Sequence, residues 1–318
     1  MKTAIVFGGG GFIGNHLVSS LKKEGFIVKA VDIKYPEFSK SDADIFIIGD
    51  LRDKQVVDSV LNQKFDEVYQ LAADMGGIGY ISKDHDASIL TNSSLINLNI
   101  LQRSLQIGIE GIFYSSSACI YPEYNQIDPK NIKTKEDTAY PAAPDTEYGW
   151  EKLFSERLYL AYNKDYGMKN KIGRYHNVFG PLGTYDGGKE KAPAAICRKV
   201  IQAKDSVEIW GDGNQIRSFL YIDECIKFTK RFYRDRTYFN PVNIGSTKSI
   251  SINNLVDMIC LIDNKKLKKI YIPGPIGVNA RTSDNDLIKL ILNDSPKENL
   301  FDGLKETYKW IQQILKTV

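Results

Sequence analysis

The first 180 residues alternate short apolar runs with segments whose apolar positions recur at helical spacing. Thr3–Phe7 and residues 26–33, 45–51, 67–73, 111–117 and 171–179 read as strands, and residues 14–24, 54–62, 88–105 and 148–166 as helices. Nearly all-apolar strands placed between helices are what a parallel sheet covered on both faces requires. Right-handed crossovers then give a doubly wound α/β domain. After residue 180 the rhythm changes. A Gly/Pro-rich stretch (180–193) leads to a short helix, a Trp210-Gly-Asp-Gly213 turn, a β-like segment at 215–222 and an amphipathic helix around 304–315.

Composition narrows the picture. The 318 residues are 42% hydrophobic and 25% charged, the balance of a folded globular chain, long enough to bury a core without disulfides or a structural metal. Lys and Arg exceed Asp and Glu by only three and are scattered, which argues against nucleic acid as a partner. No apolar run approaches the roughly 18 residues of a membrane span, and the glycine turn follows the N-terminus directly, so neither a membrane segment nor a signal peptide is expected. Cys119, Cys197, Cys225 and Cys260 form no CxxC pair, which favours the reducing cytoplasm. His16, His85 and His176 lie far apart and match no ligand spacing, so no metal is expected.

Between the first strand and first helix stand Gly8-Gly-Gly-Gly11-Phe12-Ile13-Gly14. A GxxGxxG turn lets backbone approach a pyrophosphate and aims helix N–H groups at it, although a glycine cluster alone is equally a tight turn. Its context adds Asp32 at the end of the second strand, about twenty residues beyond Gly11, where an acid accepts ribose hydroxyls. Asp32 favours NAD by repelling a 2′-phosphate, while Lys34 nearby is the residue that could accommodate one. By topology, Asp50 and Leu51 after the third strand and Leu71, Ala72 and Ala73 after the fourth would line adenine and ribose. The fold class expected is a doubly wound parallel Rossmann sheet over residues 1–180. A smaller C-terminal α/β substrate domain follows over 181–318, with the chain free to cross back between them.

Tyr148-Gly-Trp-Glu-Lys152 is a YxxxK pair, with both side chains on one helical face. A lysine ammonium there is expected to lower the phenol pKa, and the lysine can also hold the nicotinamide ribose. The same spacing is common on plain surface helices. It gains weight from Ser117, at the end of the preceding strand, which can hydrogen-bond the same substrate hydroxyl.

With these motifs the chain resembles the extended short-chain dehydrogenase/reductase family of nucleotide-sugar enzymes, and within it the branch of GDP-sugar epimerases acting at C3 and C5. The segments that carry the resemblance are Ala72-Ala-Asp-Met-Gly-Gly-Ile-Gly79, Ser116-Ser-Ala-Cys-Ile-Tyr-Pro-Glu123 and Gly187-Gly-Lys-Glu-Lys-Ala-Pro-Ala-Ala195. Trp210-Gly-Asp-Gly213, Arg217-Ser-Phe219 and Ile272-Pro-Gly-Pro275 add to it. The resemblance implies NAD as cofactor, a GDP-sugar as substrate and transient oxidation at the sugar C4 through Tyr148. The ketone acidifies C3 and C5, where Cys119 and Lys191 remove and return protons. It also implies substrate contacts by Met75, Gly76, Gly77, Asn177, Glu190, Lys199, Arg217 and Arg281. Dehydratases of the family place an Asp-Glu pair where this chain has Ala118-Cys119, and simple 4-epimerases have no use for a thiol there.

A GDP-hexose or GDP-heptose 4-dehydrogenase or 4-epimerase on the same scaffold is the alternative, and a dinucleotide-sensing module without catalysis is a third reading that intact Tyr148 and Lys152 disfavour. The family also implies a homodimer. Ile96/Ile100 and Leu153/Leu160 supply apolar residues at helical spacing that would serve either a dimer interface or the protein's own core.

Overall fold

The computed structural model describes residues 1–81, 84–132 and 134–317. Its first part runs β1 (Thr3–Phe7), α1 (Phe12–Lys23), β2 (Ile27–Asp32), β3 (Ile45–Ile48), α2 (Lys54–Val60), β4 (Glu67–Gln70), α3 (Ile78–Ile81), α4 (Asp86–Gln106), β5 (Phe113–Ser117), α5 (Glu147–Tyr166) and β6 (Lys171–Tyr175). The second part runs β7 (Val178–Phe179), α6 (Ala192–Gln202), β8 (Ser206–Trp210), β9 (Ile216–Ser218), β10 (Leu220–Tyr221), α7 (Ile222–Arg234), β11 (Val242–Ile244), β12 (Ser249–Ser251), α8 (Ile252–Asp263), β13 (Lys268–Ile272), β14 (Ala280–Arg281), α9 (Asp286–Leu292) and α10 (Leu300–Thr317).

Seven strands form a parallel sheet in the order β11-β6-β5-β4-β1-β2-β3. Alternate side chains of β1 explain why it sits at the centre. Ala4 and Val6 join the core under α1 with Leu17, Val18 and Leu21, while Ile5 and Phe7 join the opposite core with Val57, Ile100 and Tyr159 of α2, α4 and α5. The chain winds outward from β1 through β2 to β3, then returns to β4 and winds the other way. The crevice at the carboxyl ends of β1 and β4 is therefore the switch point where such sheets bind ligands. Residues 222–244 cross back: α7 packs beside α1 and β11 extends the large sheet beyond β6.

Several ends differ from expectation for local reasons. Helix α1 begins at Phe12, because Gly11 is its extended N-cap. The run 171–179 breaks into β6 and β7 where Asn177 takes a left-handed φ of 42°. The stripes expected to serve core or dimer turn inward: Ile96, Ile100 and Leu153 are buried, and Leu160 packs against the core. Exposed apolar side chains on α4 and α5 include Leu95, Trp150 and Phe154.

Candidate active site

The β1–α1 turn delivers its glycines to the switch point. Gly8 takes φ 81°, a conformation costly for side chains, and a Cβ on Gly14 would overlap the Gly8 carbonyl oxygen. Gly11 caps α1 without a side chain, and no acid stands in the first turn, so the leading N–H groups face an anion unopposed. Asp32 stands beside them. Its Oδ2 accepts from Gly10 N at 2.9 Å, and Oδ1 accepts from Lys34 N at 3.4 Å. Burial raises the Asp32 pKa, with the Gly10 N–H acting the other way. Cradle, helix start and carboxylate together fit a dinucleotide's pyrophosphate and ribose.

Phe12 lies edge-on to His16 at 5.4 Å, and Ile13 packs on the core. Beyond β4, Gln70 folds back on Ala72, donating to its carbonyl at 2.9 Å and accepting from its N–H at 3.1 Å, which fixes the Leu71–Ala73 backbone. After β3, the Asp50 carboxylate is ion-paired with Arg52 at 2.5 Å, both side chains partly exposed, and the Leu51 side chain is buried in the core.

At the chemical end, Ser117 closes β5 and its Oγ accepts from Cys119 N at 3.2 Å, shaping the turn that presents the thiol. Thr146 caps α5 by accepting from Gly149 N at 3.3 Å. The first turn of α5 then lies against the Cys119 turn so closely that a Cβ on Gly149 would overlap the Cys119 carbonyl oxygen. This approach brings the Tyr148 phenol onto the Ser117 hydroxyl and beside Cys119. Lys152, one helical turn on, is buried and donates to Ser115 O at 3.0 Å.

The lowered phenol pKa expected from Lys152 does not appear. Burial, with Cys119 and Glu151 adding to it, raises Tyr148 above its ordinary value. The reason is directional: the ammonium is aimed at the Ser115 carbonyl, 5.8 Å from the Tyr148 ring centroid. Burial also lowers the Lys152 pKa, against the pull of Glu151 and Glu156.

Lys191 is the N-cap of α6, in an extended conformation, and half-buried. Among the described residues its Nζ has no hydrogen-bond or ion-pair partner. Burial lowers its pKa, while Cys119 and Cys225 nearby oppose that shift. Thiol and amine, 72 positions apart in sequence, thus share one site with Ser117 and Tyr148.

The expected substrate contacts divide. Gly77 N donates to Lys189 O at 3.0 Å, so the Met75–Gly76–Gly77 loop is tied to the segment leading to Lys191. Asn177 Nδ2 donates to Ser218 O at 3.0 Å. Glu190 accepts from Gly188 N at 2.6 Å and faces Arg198 at 3.6 Å, so its carboxylate is engaged within its own segment. Lys199 donates to Glu208 O at 3.0 Å and lies 5.8 Å from the Trp210 ring centroid. Arg217 donates to the carbonyls of Ile216, Ile276 and Val278, and burial, then Arg281, lowers its pKa to about 10. Arg281, expected at the sugar or diphosphate, donates to Cys119 Sγ at 3.1 Å, Gln126 Oε1 at 2.5 Å and Asp145 Oδ1 at 3.2 Å.

Residues 4–245 match the model of the NAD dependent epimerase/dehydratase family. The chain belongs to this family. NAD is accordingly its cofactor. Over 312 residues this family member is 45% identical to the GDP-mannose 3,5-epimerase of Arabidopsis thaliana, covering 97% of this chain and 81% of that protein. It is 44% identical, over the same shares, to GDP-mannose 3,5-epimerase 1 of Oryza sativa subsp. indica. A solved structure of UDP-glucuronic acid 4-epimerase from Bacillus cereus, in complex with UDP-glucuronic acid and NAD, matches with TM-score 0.82 at 25% identity, covering 98% of this chain and all of that one. Sequence reasoning missed three residues here: Gly149, Gln126 and Asp145. Each acts through a contact to a distant segment, and the only local signal is the nearness of Asp145 and Gly149 to Tyr148.

Proposed function

We propose that this family member is a GDP-mannose 3,5-epimerase with Ser117, Tyr148, Lys152, Cys119 and Lys191 as its catalytic set. The observation that carries the reading is the gathering of Cys119 and unpartnered Lys191 around the Ser117–Tyr148 pair. NAD, when bound at the glycine turn and Asp32, supplies a reversible hydride sink for the sugar C4. Ser117 and Tyr148 hold the C4 hydroxyl and take its proton, and Lys152 supports them from the same helix face. Once C4 is a ketone, the C–H bonds at C3 and C5 are acidified. The Cys119 sulfur and the Lys191 amine accept and return those protons, the lowered Lys191 pKa favouring the neutral amine that such a base requires.

In heavy water, GDP-mannose incubated with the NAD-loaded protein gains deuterium at C3 and C5, and Cys119→Ala abolishes most of it. A 4-keto or C4-inverted sugar with C3 and C5 unexchanged would establish the alternative 4-dehydrogenase or 4-epimerase. The proposed division places cofactor binding in residues 1–180 and sugar-nucleotide binding in 181–318, with residues 222–244 returning to the large sheet. Exposed Leu95, Trp150 and Phe154 on α4 and α5 support a homodimer through those helices, checked by light scattering. Among the described residues no helix is long and apolar enough to cross a membrane. The absence of cysteine pairing supports a cytoplasmic location.

A further inference from the structure

Arg281 is buried on β14, and its Nε, Nη1 and Nη2 donate respectively to Gln126 Oε1, Cys119 Sγ and Asp145 Oδ1. Three of the five guanidinium N–H groups are thereby engaged, one on each nitrogen. The three acceptors fix the plane of the cation. Gln126 is a neutral acceptor and the Cys119 sulfur a weak one. Asp145 is the acid that pairs with it, at 3.2 Å, with both side chains about nine-tenths buried. Among the described residues the Asp145 side chain has no other hydrogen bond or ion pair. Its backbone immediately precedes the Thr146 cap of α5, so the turn that positions Tyr148 also positions this carboxylate.

We infer that Asp145 is a positioning residue acting through Arg281: it holds the guanidinium so that Nη1 stays on the Cys119 sulfur and favours the proton-accepting form of the thiol. What that thiol then does rests on the epimerase reading above. The charged and titratable groups facing Cys119 are Tyr148 and Lys152 from α5, Lys191 from the start of α6, Arg217 from β9 and Arg281 from β14. Of the cations in that set, Arg281 is the one that donates to the sulfur. Burial works against the Arg281 charge, but Cys119 and Asp145 more than offset it and its pKa is raised. A charge-assisted bond of this kind stabilises the anionic acceptor, so loosening it lowers the reactive fraction of the sulfur.

The test reads the thiol directly on the full chain without substrate. Cys197, Cys225 and Cys260 are buried, so iodoacetamide labelling followed by peptide mass spectrometry reports Cys119 cleanly. Asp145→Ala is expected to slow Cys119 alkylation at pH 7 about tenfold, the worth of one hydrogen bond to a charged group, and to move the rate-against-pH curve to higher pH. Asp145→Asn keeps an acceptor oxygen for Nη2 and is expected to recover most of the rate. Should Asp145→Ala fail to fold, Gln126→Ala releases the other flank of the guanidinium and is expected to slow alkylation in the same direction. An alkylation rate and pH curve unchanged in the Ala variant, a faster rate there, or an Asn variant as slow as Ala would each overturn the inference. The epimerase reading fails separately, by absent deuterium exchange in the wild-type protein.

Discussion

The two ends of the crevice are built differently. The nucleotide end comes from neighbouring pieces of chain, residues 8–14, 32–34 and 70–73, and most of its groups are backbone N–H and C=O. The chemical end gathers side chains from β5, the start of α5, the start of α6, β9 and β14. A backbone cradle is specified by local steric rules, so glycine spacing reports it. A side-chain constellation exists only once the elements pack, and here a buried polar network holds them. Arg174 of β6 pairs with Glu156 of α5 at 2.8 Å, both almost wholly buried, and Glu156 Oε1 also accepts from Ser116 Oγ at 2.5 Å. Arg174 reaches Tyr121 OH at 3.1 Å, two residues beyond Cys119.

That contrast is sharpened first by Lys191→Ala. It is expected to reduce deuterium exchange at C3 and C5 by about 10²–10⁴-fold, the usual weight of a general base, while NAD affinity by fluorescence titration stays unchanged. Weakened NAD binding in the same variant would mean that the two ends are not separable.

Next is Glu156→Ala, in the buried network behind the site. Stranding the Arg174 cation is expected to cost about 3–5 kcal/mol in urea denaturation and to disorder the chemical end before the nucleotide end. A cost below about 1 kcal/mol would make the network ornamental.

His176, fully buried and hydrogen-bonded to Asn243 at 2.9 Å, belongs to the same support. Burial is the main cause of its pKa falling from 6.5 to about 4. Between those values the unfolded chain holds a proton that the folded one lacks. Stability is therefore present above pH 6.5 and falls on acidification, by about 3 kcal/mol at pH 4. Urea midpoints of wild type and His176→Gln at pH 7 and 4.5 check the sign, the variant lacking this component of the slope.

The smallest effect is at the nucleotide end. Asp32→Ala is expected to weaken NAD about tenfold and narrow the preference over NADP, with little change in melting temperature, because the glycine cradle is retained. An equal loss for NADP would remove Asp32 from cofactor choice.

What was legible followed from how local each signal is. The β1 to α5 alternation, the glycine turn and Asp32 all lie within single βα units, where apolar periodicity and turn sterics act. The surroundings of Leu51 and Asp50 were harder, because a strand-end position does not say whether a side chain points to core, solvent or crevice; Leu51 is buried in the core and Asp50 pairs with Arg52. The stripe of Ile96, Ile100 and Leu153 reads identically for a core and for a dimer, and packing turned it inward. The Arg281 contacts to Cys119, Gln126 and Asp145 were not legible, since an isolated arginine carries no mark of its acceptors.

The sequence by itself determined the doubly wound sheet, the dinucleotide cradle and the stock of reactive groups, because hydrophobic period, glycine sterics and side-chain chemistry are properties of short stretches. Tertiary structure alone decided which of those groups meet. It set the Cys119 sulfur against Arg281 and Arg281 against Asp145, and brought Lys191 unpartnered to the same site. It also turned the Lys152 ammonium toward Ser115 rather than the phenol. Hydrogen bonds and desolvation depend on distances of a few ångströms between segments that are dozens of residues apart, and only the packed fold sets those distances.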